Sequence, residues 1–191
     1  MSAITILLVI LIVLVIGAIV IYNNLVKMRN AVDNAWSQVE VQLQRRLDLI
    51  PNLVETVKGY AAHESSTLQA VTDARAACMK ARTPEDKIAA DNMLSDTLKS
   101  LFAVSENYPN LMASQNFVEL QNELSETEDK ISYMRQSFND TVMKYNNAIQ
   151  TFPGNLLAGP LGFTKRNSYV SDLGAETAPV VDFGSDVAQA D

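Results

Sequence analysis

The sequence predicts an all-α fold: an N-terminal transmembrane helix followed by a long, kinked-helix antiparallel helical bundle of three to four helices. Three observations lead there. Residues 3–22 (AITILLVILIVLVIGAIVIY) carry no charged side chain and are Ile, Leu, Val or Ala apart from Thr5, Gly17 and Tyr22. Between Asn23 and Phe152 the only glycines and prolines are Pro51, Gly59, Pro84 and Pro109, and so few turn formers over so long a stretch mark helix. Within that stretch apolar residues recur at steps of three and four, the helical period.

The first element is the anchor, residues 1–23. Its twenty-residue apolar run, at ~1.5 Å rise per residue, spans ~30 Å, the hydrocarbon thickness of a bilayer. Most of these residues are β-branched, a bias toward strand in water. In lipid every backbone N–H and C=O has to be satisfied within the segment, which selects helix. A cleaved signal peptide would need a basic leader, a shorter apolar core and a small-x-small cleavage site. No Lys or Arg precedes the run, and Gly17-Ala18-Ile19 leads into more Ile and Val, so a retained anchor is expected. Lys27 and Arg29 follow it against one acid, Asp33, and the positive-inside rule then places the N-terminus outside and the bundle in the cytoplasm. Tyr22 suits the interfacial aromatic belt, and Lys27 and Arg29 are near enough to meet anionic lipid.

The bundle is predicted over residues 24–152. Its first helix continues out of the membrane, with Leu25, Val32, Trp36, Val39, Leu43, Leu47, Ile50, Val54 and Val57 on one stripe whose phase runs across Pro51. A proline inside a helix forfeits a hydrogen bond and clashes with the preceding turn, a cost of ~3 kcal/mol usually visible as a kink. A loop would reset the phase, so a kinked continuous helix is preferred to a hairpin. Asp48 capping a fresh helix near Pro51 is the competing reading. Around Pro51 the apolar face widens to include Leu49 and Leu53, which predicts burial on more than one side. The same stripe is read on through Leu68, Val71, Ala74 and Cys78 to an end before Thr83.

Thr83-Pro84-Glu85-Asp86 combines an N-cap, a proline at the first helical position and acids against the helix dipole, so a helix is expected from Pro84 to about Asn107. Beyond Tyr108-Pro109 comes the cleanest period in the chain. Phe117, Leu120, Leu124, Thr127, Ile131, Met134, Phe138, Val142, Tyr145 and Ile149 form a near-heptad seam, as in bundles and coiled coils. Packing of the bundle, or of an oligomer of it, is assigned to Trp36, Leu47, Ile50, Pro51, Leu53, Val54, Phe117, Leu124, Ile131, Phe138 and Tyr145. Residues 153–166, apolar but broken by Gly and Pro, are expected to lie in a groove of the bundle or of a neighbour. Residues 167–191 hold five acids and no base, a tail too polar to fold alone.

The acidic balance, net charge −7, argues against nucleic acid as a partner. A single cysteine excludes an internal disulfide and suits a reducing compartment, and a single histidine excludes a histidine-rich metal site. His63-Glu64 beside Tyr60 is the most chemical-looking group. An H-E-x-x-H site needs a second His where Thr67 stands, so a surface or hydrogen-bonded pair is the plainer reading. Cys78 lies on the inner stripe with no histidine to activate it, and is read as a small core residue. Arg45 and Arg46 invite a lipid-headgroup reading, but a straight helix sets them ~35 Å beyond Tyr22, and the surface potential fades within ~8–10 Å. Together with Asp48 they are assigned to charge pairing, within the bundle or with a neighbour. Trp36, ~20 Å beyond Tyr22, is likewise too far out for the aromatic belt.

Taken in order, these residues resemble a known family. Asn24-Leu25-Val26, Arg29-Asn30, Ala35-Trp36-Ser37, residues 41–54 (VQLQRRLDLIPNLV), residues 57–64 (VKGYAAHE), residues 108–111 (YPNL), Phe117, Leu120-Gln121, Glu123-Leu124, Thr127-Glu128 and residues 152–155 (FPGN) are similar to the LemA family signature. The resemblance covers about residues 20–165, with the final acidic stretch outside it. It implies a single-pass bacterial membrane protein with an outside N-terminus and a helical, mostly antiparallel bundle. It supplies no catalytic residue to carry over, and implies a membrane metalloprotease as one class of partner.

The expectation is therefore a protein without catalytic residues, cofactor or metal, in the bacterial inner membrane. Its function is expected to be structural: a scaffold that self-associates into homo-oligomers through its bundle. The alternative is a regulatory adaptor that presents the bundle or the acidic tail to another membrane protein.

Overall fold

The computed structural model describes residues 2–168, and among them every regular element is helical. α1 runs unbroken from Ala3–Lys58, 56 residues, or ~84 Å at helical rise. Ser2 caps it by accepting from the Thr5 N–H. None of its apolar run, residues 4–16, is covered by protein, and the side chains stand open from Ile4 to Ile16. From Leu25 onward one face is buried, at Leu25, Val32, Val39, Leu43, Leu47, Ile50, Leu53 and Val57. A single helix thus carries a lipid-type surface at one end and half of a protein core at the other.

α2 (Ser65–Lys80) folds back along α1, and α3 (Pro84–Ser105) returns beside both. Thr83 caps α3 as its sequence predicts, accepting from the Asp86 N–H at 3.1 Å, with Pro84 in the first turn. A short α4 (Pro109–Met112) makes the far turn, and α5 (Gln115–Gln150) runs back the whole length. α5 is antiparallel to α1: Arg46 meets Glu128, and Trp36 packs on Phe138 with ring centroids 5.4 Å apart. The near-heptad seam therefore closes on the chain's own first helix. α6 (Gly154–Ala158) and the turn after it cross back to α1, where Phe163 is buried with its ring 6.0 Å from that of Tyr22. The acidic tail from Tyr169 on lies outside the described residues.

Two apolar cores result. Far from the span, Leu47, Ile50, Leu53 and Val57 of α1 meet Val71 and Ala74 of α2, Leu94 and Leu101 of α3, and Phe117 and Leu124 of α5. Near the span, Leu25, Val32, Val39 and Leu43 pack against Ile131, Phe138, Val142 and Tyr145. The far core thus has four helical walls and the near core chiefly two, α1 and α5.

One expectation is corrected. The stripe read as a single helix through Cys78 is two helices, and the chain reverses at Gly59–Glu64. The spacing concealed this, because Val57, Ala61 and Leu68 keep helical steps although Ala61 sits in the turn, buried against the core. Turning back is what covers the wide apolar face around Leu53. A straight continuation would leave that face, and Leu68 and Val71, in water.

Pro51 is not the site of that turn; α1 passes through it. The proline has no N–H for the carbonyl four residues earlier, which is that of Leu47. Arg75 of α2 takes the vacated place, donating its Nε–H to the Leu47 carbonyl oxygen at 3.0 Å. A defect in one helix thereby becomes the point at which the next is tied to it.

Arg75→Leu should cost about 1–3 kcal/mol, the range for stranding a partly buried acceptor. In a Pro51→Ala background, where the new N–H can reach Leu47, the same change should cost markedly less. Urea unfolding of the four variants, followed by Trp36 fluorescence, checks this; equal costs in both backgrounds would refute the coupling.

Candidate functional site: a buried charge cluster between two apolar cores

At the junction of the two cores, where apolar packing would be simplest, the chain places four ionisable side chains. Arg46 comes from α1, Asp91 from α3, and Glu128 and Arg135 from α5. Arg46 and Asp91 are only 4% and 3% exposed. Arg46 Nη1 donates to Asp91 Oδ1 at 2.8 Å and to Ser95 Oγ at 2.9 Å. Its Nη2 lies 2.8 Å from Glu128 Oε2, an ion-pair contact off hydrogen-bond angle, and Glu128 keeps its other side toward solvent. Arg135 Nη2 donates to Asp91 Oδ2, so Asp91 is bracketed by two guanidinium groups.

Three helices are joined here by charge-assisted bonds, and the two arginines balance the two acids. Such a cluster is weak as a source of net stability, since desolvating each ion costs several kcal/mol, but breaking it by removing one member is expensive. Its geometry suits it to fixing register. An apolar seam of Leu and Ile tolerates a slip of one turn between α1 and α5, whereas a buried arginine that loses its carboxylate does not.

A cleft of about 220 Å³ opens beside the cluster between α1, α2 and α3, lined by Glu40, Gln44, Cys78, Lys87 and Asp91 among others. Lys87 closes one side by pairing with Glu40. Burial, reinforced by the nearby Asp91 charge, pushes the Cys78 thiol up to about 11. At neutral pH only ~10⁻⁴ of it is thiolate, which makes it a poor nucleophile.

The other residues singled out in the sequence are placed as follows. Leu47, Ile50, Leu53, Phe117 and Leu124 lie in the far core, Ile131, Phe138 and Tyr145 in the near one, and Trp36 and Val54 are half-buried against them. Pro51 is exposed, its role being the freed carbonyl described above. Arg45 faces solvent and adds only a minor charge effect to Glu126, whose pKa is lowered chiefly by its hydrogen bond with Lys130, while Asp48 accepts from Gln44 of its own helix at 2.7 Å rather than from an arginine. Tyr22 edges onto Phe163, the Arg29 guanidinium sits 5.3 Å from the centre of that same ring, and Lys27 is exposed. His63 is exposed. Glu64 accepts from the Tyr108 hydroxyl at 2.9 Å, a bond that raises the Tyr108 pKa and ties the Gly59–Glu64 turn to the start of α4.

Asp91, Ser95 and Arg135 are not singled out by the sequence, and Glu128, on the face of α5 that the sequence reads as solvated, turns one carboxylate oxygen inward to Arg46. A signal was present: Asp91 stands between Ile88 and Leu94, and Arg135 between Ile131 and Phe138, charges set within inward stripes.

A sequence profile of the LemA family matches residues 35–183. The chain belongs to the LemA family. The match begins beyond the exposed apolar run of α1, covers the bundle from Ala35 onward, and extends into the acidic stretch, which had been expected to fall outside the family pattern. The magnetosome protein MamQ 2 of Paramagnetospirillum magneticum is 27% identical over 186 residues, covering 84% of this chain and 68% of its own. MamQ of Magnetospirillum gryphiswaldense is similar to the same extent, 27% with the same shares. Protein LemA of Metamycoplasma hominis is 27% identical over 142 residues, 73% of this chain and 64% of its own. Membership of the LemA family, magnetosome relatives and the apolar end of α1 together support membrane association.

Asp91→Ala should destabilise the bundle by about 3–5 kcal/mol, as expected when a buried pair loses one member. Replacing Arg46, Asp91 and Arg135 together by Met, Leu and Met should cost far less. Denaturant midpoints of the full chain in detergent distinguish the two outcomes. Cys78 should react slowly with iodoacetamide at neutral pH and about tenfold faster per pH unit up to about 11, the rate following its thiolate.

Proposed function

We propose that this LemA-family protein is a structural scaffold of the bacterial inner membrane. It is anchored once by the apolar end of α1, with its N-terminus outside and its bundle in the cytoplasm, and it self-associates laterally without catalysing a reaction. The observation that carries this reading is the unbroken α1. It fixes the bundle rigidly to the span, so copies in one membrane approach each other upright and in two dimensions. Confinement of that kind raises effective concentration, and weak contacts between bundles then suffice. Since the heptad seam is spent on α1, those contacts fall to the outer faces, where Val41, Met79, Tyr133 and Met143 are exposed apolar residues.

A second reading is a regulatory adaptor for another membrane protein such as a metalloprotease. It is favoured by the outward face of α5, where Glu119, Glu123, Glu126 and Asp129 stand exposed in a row suited to a basic partner surface. Chemical crosslinking in native membranes should yield ladders of the chain, and only monomer at every crosslinker dose would count against the scaffold. Deleting residues 169–191 separates the two readings: the scaffold keeps its ladder, whereas an adaptor working through its tail loses partner capture.

A further inference from the structure

The end of the bundle nearest the span is unlike the rest of its surface. Phe152 is 78% exposed, Leu156 62% and Leu161 47%, three large apolar side chains within ten residues. In no other ten-residue stretch of the bundle do three large apolar side chains among the described residues stand exposed. Phe152 sits on the turn between α5 and α6, Leu156 in α6 itself and Leu161 just beyond it. Their height relative to the membrane is set by what they touch. Phe152, Pro153 and Gly154 share a cleft of about 530 Å³ with Val20, Ile21, Asn23 and Asn24 of α1, where the apolar run gives way to polar residues. Phe163, a little further on, packs on Tyr22.

Charge is distributed to match. The chain as a whole is strongly acidic, at −7. The residues at this end, 22–33 of α1 and 141–168 of the returning chain, hold five bases, Lys27, Arg29, Lys144, Lys165 and Arg166, and one acid, Asp33. That acid is already engaged, accepting from Arg166 at 3.1 Å. The acids that begin α3 lie at the upper margin of this end, where Glu85 accepts from Asn167 at 3.0 Å and Lys87 meets Glu40. An apolar tip with more bases than acids around it is the composition of a surface that lies in a membrane interface.

We propose that the α5–α6 turn is a second membrane contact. Phe152, Leu156 and Leu161 enter the headgroup layer of the leaflet from which α1 emerges, and the surrounding Lys and Arg face lipid phosphates. The bundle then stands on the bilayer at two points, the span and this foot. The inference rests on α1 being anchored in the bilayer, and the experiment tests the two separately.

The full chain, with Cys78→Ser, is labelled with an environment-sensitive fluorophore at a cysteine replacing Phe152 or, in a second variant, Leu156. It is reconstituted sparsely into vesicles of phosphatidylethanolamine and phosphatidylglycerol, with lipids carrying a doxyl quencher high on the acyl chain. Val20→Cys reports the anchor and Met93→Cys the far side of the bundle. The labels at 152 and 156 should shift to the blue and be quenched like that at 20, while the label at 93 stays aqueous and unquenched. Unquenched, aqueous labels at 152 and 156 beside a quenched label at 20 would overturn the foot and leave the anchor standing. A blue shift without lipid quenching would mean a protein neighbour covers the turn, and would also overturn it. If the label at 20 is unquenched as well, the anchor reading falls and the foot with it.

Discussion

The structure depends on a single helix that carries two kinds of surface. From Ile4 to Ile16 α1 presents apolar side chains all round, and from Leu25 it presents one apolar face and one polar face. No joint separates the two regimes. Every other element is arranged on the second: α5 lies along it, α2 and α3 pack where its face widens around Leu53, and α6 returns to its first turns beyond the span. Proline would ordinarily threaten such a helix. Here the carbonyl freed by Pro51 is taken up by Arg75, so a missing main-chain bond is replaced by a bond between helices.

The cluster of Arg46, Asp91, Glu128 and Arg135 divides the interior into two apolar compartments. Leu and Ile packing supplies the cohesion on either side but discriminates poorly between neighbouring registers. A buried charge with fixed partners discriminates well, because misalignment by a turn strands it. The same division leaves Cys78 half-buried at the edge of the far core with a carboxylate close by, and both features push its thiol pKa up.

Much of the fold is legible in the sequence. Thr83-Pro84 marks a helix start by its chemistry alone, and the seam from Phe117 to Ile149 gives the buried face of α5 almost residue by residue. What periodicity cannot express is a turn that keeps step. Val57, Ala61 and Leu68 stay in phase through the reversal at Gly59–Glu64, so two helices read as one. Nor does a period say which surface a stripe meets; the α5 seam suits a second copy of the chain as well as α1. The cluster was half legible. Arg46 could be assigned to pairing by its distance from the membrane, while its partners lie 45 residues or more away and only the packing of three helices brings them together.

A continuous α1 also means that the span and the bundle lean by one and the same angle. Between Tyr22 and Lys58 the helix forms an arm of ~54 Å, so a change of ~10° in tilt carries its far end sideways by ~9 Å. Transmembrane helices tilt to match their apolar length to the local bilayer. In the scaffold proposed above, membrane thickness, a property of the lipid, would thereby set the spacing between the outer ends of neighbouring molecules.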